Sequence, residues 1–352
     1  MSVRHRGPGR AHSHHNPSRR PRRRRPAAPW RTVAACGLTW LLAAAVAGCA
    51  RPDDPLGGFA APRTVRLAPD GRLLVTDLGT GRGDGQVVAV DLASGRREVL
   101  LERLPSTRGS GQQHADLAGP SGAAMAPDGT VCVVVGDATR EGAGFSTLRC
   151  TGGLVADLEA YERAANPDGR ELASNPYDVA WDGQGGWYVS DAAANAVLHA
   201  DSSGRIRTVA VLASMAPFGG RPAQGVPTGL ARAADGTLYV ALFGGAPATG
   251  GPAVVVALRP DPDGGRTRPA AVARAVAPIG VAPIPQGLAV LDYGGGPADR
   301  RRGRILLVDG PADPGTVAAT GLDRPVGIAR LPDGRYVVAE TDSSRLRLVT
   351  PQ

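Results

Sequence analysis

The sequence contains no lysine: its 40 positively charged side chains are all arginine, a bias we attribute to genomic codon usage rather than to chemistry. Aromatic residues make up only 4% of the chain, while glycine (49) and proline (31) are abundant. That balance disfavours a helical bundle and suits many short strands joined by tight turns. After residue 48 only two histidines remain, His114 and His199, which removes most routes to imidazole acid–base chemistry. There is no His-x-x-x-His or Cys-x-x-Cys metal spacing, no Gly-x-Ser-x-Gly nucleophile elbow and no phosphate-binding loop. The stretch "GTGRGDG" (79–85) is glycine-rich but precedes a strand and reads as a hairpin loop, and "DPDGG" (261–265) lacks the remaining ligands of a calcium loop. The formal charge of +8 is also local. Ten arginines and no acid lie in residues 1–48, which leaves 30 basic against 32 acidic groups in the rest. The body of the chain therefore lacks the electrostatic footprint of a nucleic-acid binder.

Residues 1–48 read as an export signal. Arg19, Arg20 and Arg22 to Arg25 form a charged leader, and Val33 to Gly48 is a 16-residue, largely apolar stretch. That is short for a membrane span and suited to a signal sequence. It runs into Val46-Ala47-Gly48-Cys49, which resembles the site at which a bacterial lipoprotein is cleaved and acylated on cysteine. The expectation is an extracytoplasmic protein tethered to the membrane through Cys49, with residues 49–60 as a short linker. An ordinary signal with an incidental cysteine is the alternative.

From residue 61 to 352 one pattern recurs six times: "PRTVRLAPDGRLLVTD" from Pro62, "PSGAAMAPDGTVCVVVGD" from Pro120, "PYDVAWDGQGGWYVSD" from Pro176, "PTGLARAADGTLYVAL" from Pro227, "PIGVAPIPQGLAVLD" from Pro278 and "PVGIARLPDGRYVVAE" from Pro325. The prolines are 58, 56, 51, 51 and 47 residues apart, a period that signals a repeat architecture. Each copy reads as two strands around a tight turn, in which Asp-Gly, or Gln286-Gly287 in the fifth copy, supplies the positive φ. The proline is tolerated at a strand start, where no ladder N–H is lost. Third strands (87–90, 196–198, 254–256, 305–307) and fourth strands (98–101, 208–211) follow. The predicted fold is all-β, a six-bladed β-propeller of four-stranded antiparallel blades. A barrel or a stacked sandwich does not explain so regular a period. The last copy ends near its third strand, and the residues ahead of Pro62 make a poor fourth.

The middle of the chain carries a more specific likeness. "VADLEAYERAANPDG" (155–169), "SNPYDVA", "SDAAANAVLHAD" and "VPTGLARAADGTLYVALFGG" resemble the ScyD/ScyE family, secreted propellers related to NHL-repeat proteins. The resemblance spans residues 61–352, is densest between 155 and 245, and departs from the family pattern at "APATGG" after Gly245. It implies a fold and an extracytoplasmic address, not a reaction.

Asp77, Asp137, Asp191, Asp292 and Glu340 fall at or within two residues of one repeat position, and Leu242 breaks the series. Repetition favours a structural role, with each carboxylate accepting backbone N–H groups of the adjoining loop. The functional reading is a set of oxygens at one mouth of the axial channel, able to hold Ca²⁺ or a polar ligand. Propeller lactonases that use calcium assemble Glu, Asn and Asp at such a mouth, by fold-level analogy. The candidate ligand-binding residues are Asn175, Tyr177, Asp191, Asn195, Thr228 and Glu340, placed on one face because an antiparallel hairpin sets the start of one strand beside the end of the next. "YERAANPDG" reads as a short helix that either covers the channel with Tyr161, Glu162 and Asn166 or links blades two and three. Cys132 and Cys150 sit on neighbouring strands of blade two, about the expected turn near Glu141, and form either a disulfide or two buried thiols. Function at this level is a binding module for a small molecule, glycan or protein. The alternatives are a calcium-assisted hydrolase or lyase and a structural module of the cell envelope.

Overall fold

The computed structural model describes residues 56–109, 117–136, 144–213, 225–244, 253–294 and 303–352. The signal segment, Cys49, His114, Asp137 and Glu141 lie outside the described residues. Among the described residues six antiparallel sheets of three or four strands succeed one another along the chain, each with its strands in sequence order, and a two-stranded pair (Thr107–Arg108 with Leu117–Ala118) lies between the first two. The first strand of every sheet neighbours the first strands of the sheets on either side, and the last neighbours the first. The fold is thus a six-bladed β-propeller whose axis is lined by Pro62–Leu67, Pro120–Met125, Pro176–Trp181, Pro227–Arg232, Pro278–Ile284 and Pro325–Arg330. Each proline opens its strand, as the missing N–H requires.

Local chemistry fixes the hairpins. In blade 1 the Gly71 N–H donates to Ala68 O at 3.0 Å with Gly71 at φ +85°, and Asp70 Oδ1 accepts the Arg72 N–H at 3.0 Å. The same turn recurs at 126–130, 233–237 and 331–335, with Asp128, Asp235 and Asp333 in the accepting role. Blade 5 departs from the expected turn. Its turn residues precede Gly287, which is itself the first residue of the second strand, at φ +134°. A Cβ there would stand 2.2 Å from Val308 O, so only glycine fits.

Six of the seven apolar clusters among the described residues lie one at each junction between adjacent blades, and the seventh is a small group of Ala61, Leu78 and Leu117. The alternation of side chains along each strand explains this, since both faces of a blade are covered by neighbouring blades. The blade 2–3 junction includes Cys132 and Cys150, register partners whose Cα atoms are 4.0 Å apart and whose sulfurs form a disulfide. The one described α-helix, Leu158–Ala165, joins blade 2 to blade 3. Asp157 caps its start by accepting the Ala160 N–H at 2.8 Å, and Asn166 ends it in the left-handed conformation.

Blade 6 has three strands among the described residues, not four. Residues 56–61 add no strand to it. Instead Phe59 is buried in the junction core with Val326, Ala329, Val337 and Leu346, beneath the Arg97 guanidinium at 4.6 Å. The Thr341 hydroxyl donates to Pro62 O at 2.5 Å and the Ser344 hydroxyl to Ala60 O at 2.7 Å. Side chains thus join the two ends of the ring where a strand ladder is missing.

Candidate functional site

Every axial strand carries a register irregularity just after its proline. Such bulges redirect the next side chains, so the columns of the repeat show what reaches the axis. Two residues after the prolines stand Thr64, Gly122, Asp178, Gly229, Gly280 and Gly327; four residues after them stand Arg66, Ala124, Ala180, Ala231, Ala282 and Ala329. Four glycines let the strands crowd together: a Cβ on Gly229 would lie 2.6 Å from the Gly280 Cα. Into the space left by these small residues go one acid and one base. Arg66 Nη2 donates to Asp178 Oδ1 at 3.0 Å and Oδ2 at 2.9 Å, and to Leu230 O at 2.8 Å. Asp178 also accepts the Leu230 and Val179 N–H groups, both at 2.9 Å. Burial pushes the Asp178 carboxyl above its ordinary pKa, against the pull of Arg66 and these N–H groups.

Around this pair lies a cavity of about 220 Å³, lined otherwise mainly by small and aliphatic residues such as Gly280, Val281, Val326 and Ile328. Tyr177 lines its proline end, 7% exposed. The Arg63 guanidinium lies 4.9 Å from the Tyr177 ring centroid. Two atoms here are buried without any hydrogen-bond partner: the Tyr177 hydroxyl and Arg63 Nε. Phe243 and Tyr293, in edge contact at 5.8 Å, pack against the same cluster as Tyr177.

The repeated carboxylates have a different occupation. Pro62, Pro176, Pro278 and Pro325 pair in register with Asp77, Asp191, Asp292 and Glu340. Asp77 accepts the Ala61 N–H at 2.7 Å and the Ala60 N–H at 2.9 Å; Asp191 accepts Asn175 N–H at 2.8 Å, Ala194 N–H at 3.1 Å and the Ser174 hydroxyl at 2.6 Å. Asp292 accepts the Ala277 N–H at 2.8 Å, and Glu340 the Asp323 N–H at 2.9 Å and Arg345 Nε at 2.6 Å. All four are buried and fasten the segment entering each axial strand, where the ladder offers no partner. In blade 4, where Leu242 takes the place of the acid, Asn195 of blade 3 accepts the Val226 N–H at 3.3 Å and donates to Asp168 Oδ2 at 2.9 Å. A carboxamide from next door thus does the work of the missing carboxylate.

Of the six candidates, Asn175, Asp191 and Asn195 cluster on blade 3, while Glu340 stands at the blade 6 rim. The Thr228 hydroxyl donates to Ala241 O at 3.1 Å, and Tyr177 is the candidate that lines the axial cavity. The oxygens of Asp191, Asn195 and Glu340 serve backbone, arginine and one another's neighbours, and among the described residues no group of three or more His, Cys, Asp or Glu is arranged to hold a metal ion. Among the described residues, Asp191, Asn195 and Glu340 therefore do not form a calcium donor set. Arg63, Arg66 and Asp178 were not among the candidates; comparing the six copies column by column, rather than by their repeated acids, is the signal that finds them.

Glu162 is the remaining unusual group. The helix buries it fully, and neither carboxyl oxygen has a partner. Burial, with Asp191 and Asp168 nearby, pushes its pKa up to about 7.

No protein-family model and no curated protein matches this chain. Solved structures do. An auxiliary nutrient binding protein from Bacteroides thetaiotaomicron aligns at 10% identity and a TM-score of 0.53, over 84% of this chain and 71% of that one. A gluconolactonase from Xanthomonas campestris aligns at 15% identity and a TM-score of 0.51, over 85% and 88%. At such identities the likeness is one of fold, and it places the chain among the six-bladed propellers.

Proposed function

We propose that the protein is a non-catalytic binding module that takes a small organic molecule into the proline end of its axial cavity. We also propose that it is exported and held at the membrane through a lipid on Cys49, in keeping with the signal-like residues 1–48 and the ScyD/ScyE resemblance of residues 155–245. The observation that carries the binding reading is the buried Tyr177 hydroxyl without a partner, beside the equally unpartnered Arg63 Nε. More than nine in ten buried polar groups in folded proteins are hydrogen-bonded, and an orphan costs about 1–3 kcal/mol. Tyr177 lines the cavity, and an occupant that supplies an acceptor oxygen would satisfy its hydroxyl. The volume of about 220 Å³ supports a small molecule over a glycan or a protein segment.

A thermal-shift screen of the purified chain against a library of small metabolites tests this. At least one compound should raise the melting temperature in the wild type and fail to do so in Tyr177→Phe. A screen without such a compound would defeat the reading, and turnover of a lactone proportional to protein would replace it with the hydrolase alternative. For the anchor, mass spectrometry should find a diacylglyceryl group on Cys49, and Cys49→Ala should release the protein from membranes.

A further inference from the structure

We infer that the protein has a second site, a groove between blades 3 and 4 on the face opposite the axial prolines, which takes a small zwitterion of the α-amino acid kind. The groove has a volume of about 480 Å³, within the range of about 300–1,000 Å³ common to small-molecule sites. Three parts of the chain build it. The hairpin turns after the first strands bring Asp182 of blade 3 and Asp235 of blade 4, and the segment after the third strand of blade 4 brings Arg259, Asp261 and Asp263. That segment crosses to the outer strand of blade 3: the Thr267 N–H donates to Val209 O at 2.7 Å, and Gly264 lies against the Arg207 side chain. The groove is thus walled by hydrogen-bonded backbone from both blades.

The donors call for a negatively charged oxygen. Arg207, Arg232 and Arg259 all line the groove, and none of their guanidinium groups has a hydrogen bond or an ion pair among the described residues. Arg207 Nη1 is buried as well as unpartnered, so solvent does not serve it. Such a lone donor is costly, and a charged acceptor is its strongest partner. The acids argue against a plain anion. Four aspartates line the groove against three arginines, a formal charge of −1 with His199 neutral. Asp182 has its oxygens on the Gln184 and Gly186 N–H groups and on His199 Nε2, and Asp235 on the Thr237 N–H and hydroxyl. Asp261 spends only Oδ1, on the Asp263 N–H at 2.9 Å, and the Asp263 carboxylate makes no hydrogen bond among the described residues. Free donors and free acceptors therefore share one groove. A pure anion would face the aspartates and a pure cation the arginines. A molecule with one carboxylate and one ammonium group satisfies both sets and adds no net charge.

Isothermal titration of the purified full chain with L-serine, L-glutamine and L-phenylalanine, each against its α-carboxamide and its N-acetyl derivative, tests the inference, with glucose and inorganic phosphate as controls. At least one amino acid should bind tenfold or more tighter than both of its derivatives, a difference of about 1.4 kcal/mol. Arg207→Gln should remove the preference over the carboxamide, and Asp263→Asn the preference over the N-acetyl derivative. Should Arg207→Gln fail to fold, Arg259→Gln, at an exposed position, should lower the amino acid's affinity about tenfold. Tyr177→Phe should leave this binding unchanged, which separates the groove from the axial cavity. No binding by any of the three amino acids, equal binding of their N-acetyl derivatives or carboxamides, or tighter binding of phosphate or glucose would overturn the inference. Loss of amino-acid binding in Tyr177→Phe would overturn it in favour of the axis.

Discussion

Asp191 of blade 3 and Glu162 of the helix that leads into it lie close together, both fully buried, and one has the partners that the other lacks. Asp191 accepts two backbone N–H groups and a hydroxyl at 2.6 to 3.1 Å; both oxygens of Glu162 are alone. Burial raises the pKa of each, but only Asp191 has hydrogen bonds that return part of the cost. The pair shows that burial of an acid is no guide to its role. The partnered acid holds the entry to an axial strand, whereas the unpartnered one is held in place by its helix and keeps its proton well above the ordinary carboxylate range, to about pH 7. The axial residues repeat the contrast, since Asp178 is fully engaged and Tyr177 and Arg63 have donors to spare.

The largest expected effect comes from breaking the engaged member. Asp191→Ala leaves the Asn175 and Ala194 N–H groups and the Ser174 hydroxyl without an acceptor, and should cost about 3–5 kcal/mol in urea or thermal unfolding. Loss of ligand binding with unchanged stability would instead make Asp191 a ligand group.

Glu162 should give a pH signature of slightly smaller size. Its native pKa of about 7 stands above the ordinary 4.5, so the native state holds a proton that the unfolded chain has released. Its contribution is therefore greatest below pH 4.5, is lost as pH rises, and is gone above pH 7, a change of about 3 kcal/mol at about 1.4 kcal/mol per unit. Unfolding measured from pH 5 to 8 should show this decline, and Glu162→Gln should flatten it. The same slope in wild type and variant would show that Glu162 finds a partner in solution.

The smallest effect sharpens the comparison at blade 4. Asn195→Ala removes the acceptor for the Val226 N–H and the donor to Asp168, and should cost about 1–2 kcal/mol. Asn195→Asp keeps the acceptor but sets a charge against Asp168, so it should recover little. Full stability in Asn195→Ala would mean that Val226 needs no such partner.

How far the sequence revealed this arrangement depends on the kind of pattern. The blades were legible because a proline, a turn glycine and β-branched runs recur at a near-constant period, and each has a local physical cause. Blade 5 was misread by one residue at its turn, since Gly287 serves a close backbone approach that only the folded neighbour, Val308, creates. The rim carboxylates were legible as residue types, and the sequence already favoured a structural role for them. Their hydrogen bonds needed the register of Pro176 with Asp191 and its equivalents. Arg66 and Asp178 come from copies 112 residues apart and meet only when the ring closes. The helix at 158–165 was expected, but eight residues of mixed polarity do not announce that Glu162 rather than Tyr161 faces fully inward.

The side-chain clasp between blades 6 and 1 has a mechanical consequence. The other junctions of the ring are crossed by the covalent chain as well as by packed side chains; this one lacks the chain and is held by the packing of Phe59, Val65 and Val75 against Val326, Val337 and Leu346 and by the hydroxyls of Thr341 and Ser344. Traction on the chain at Leu56 is therefore delivered first to Phe59 and its neighbours. The disc would open like a bracelet at its fastening, with the other five junctions still shut.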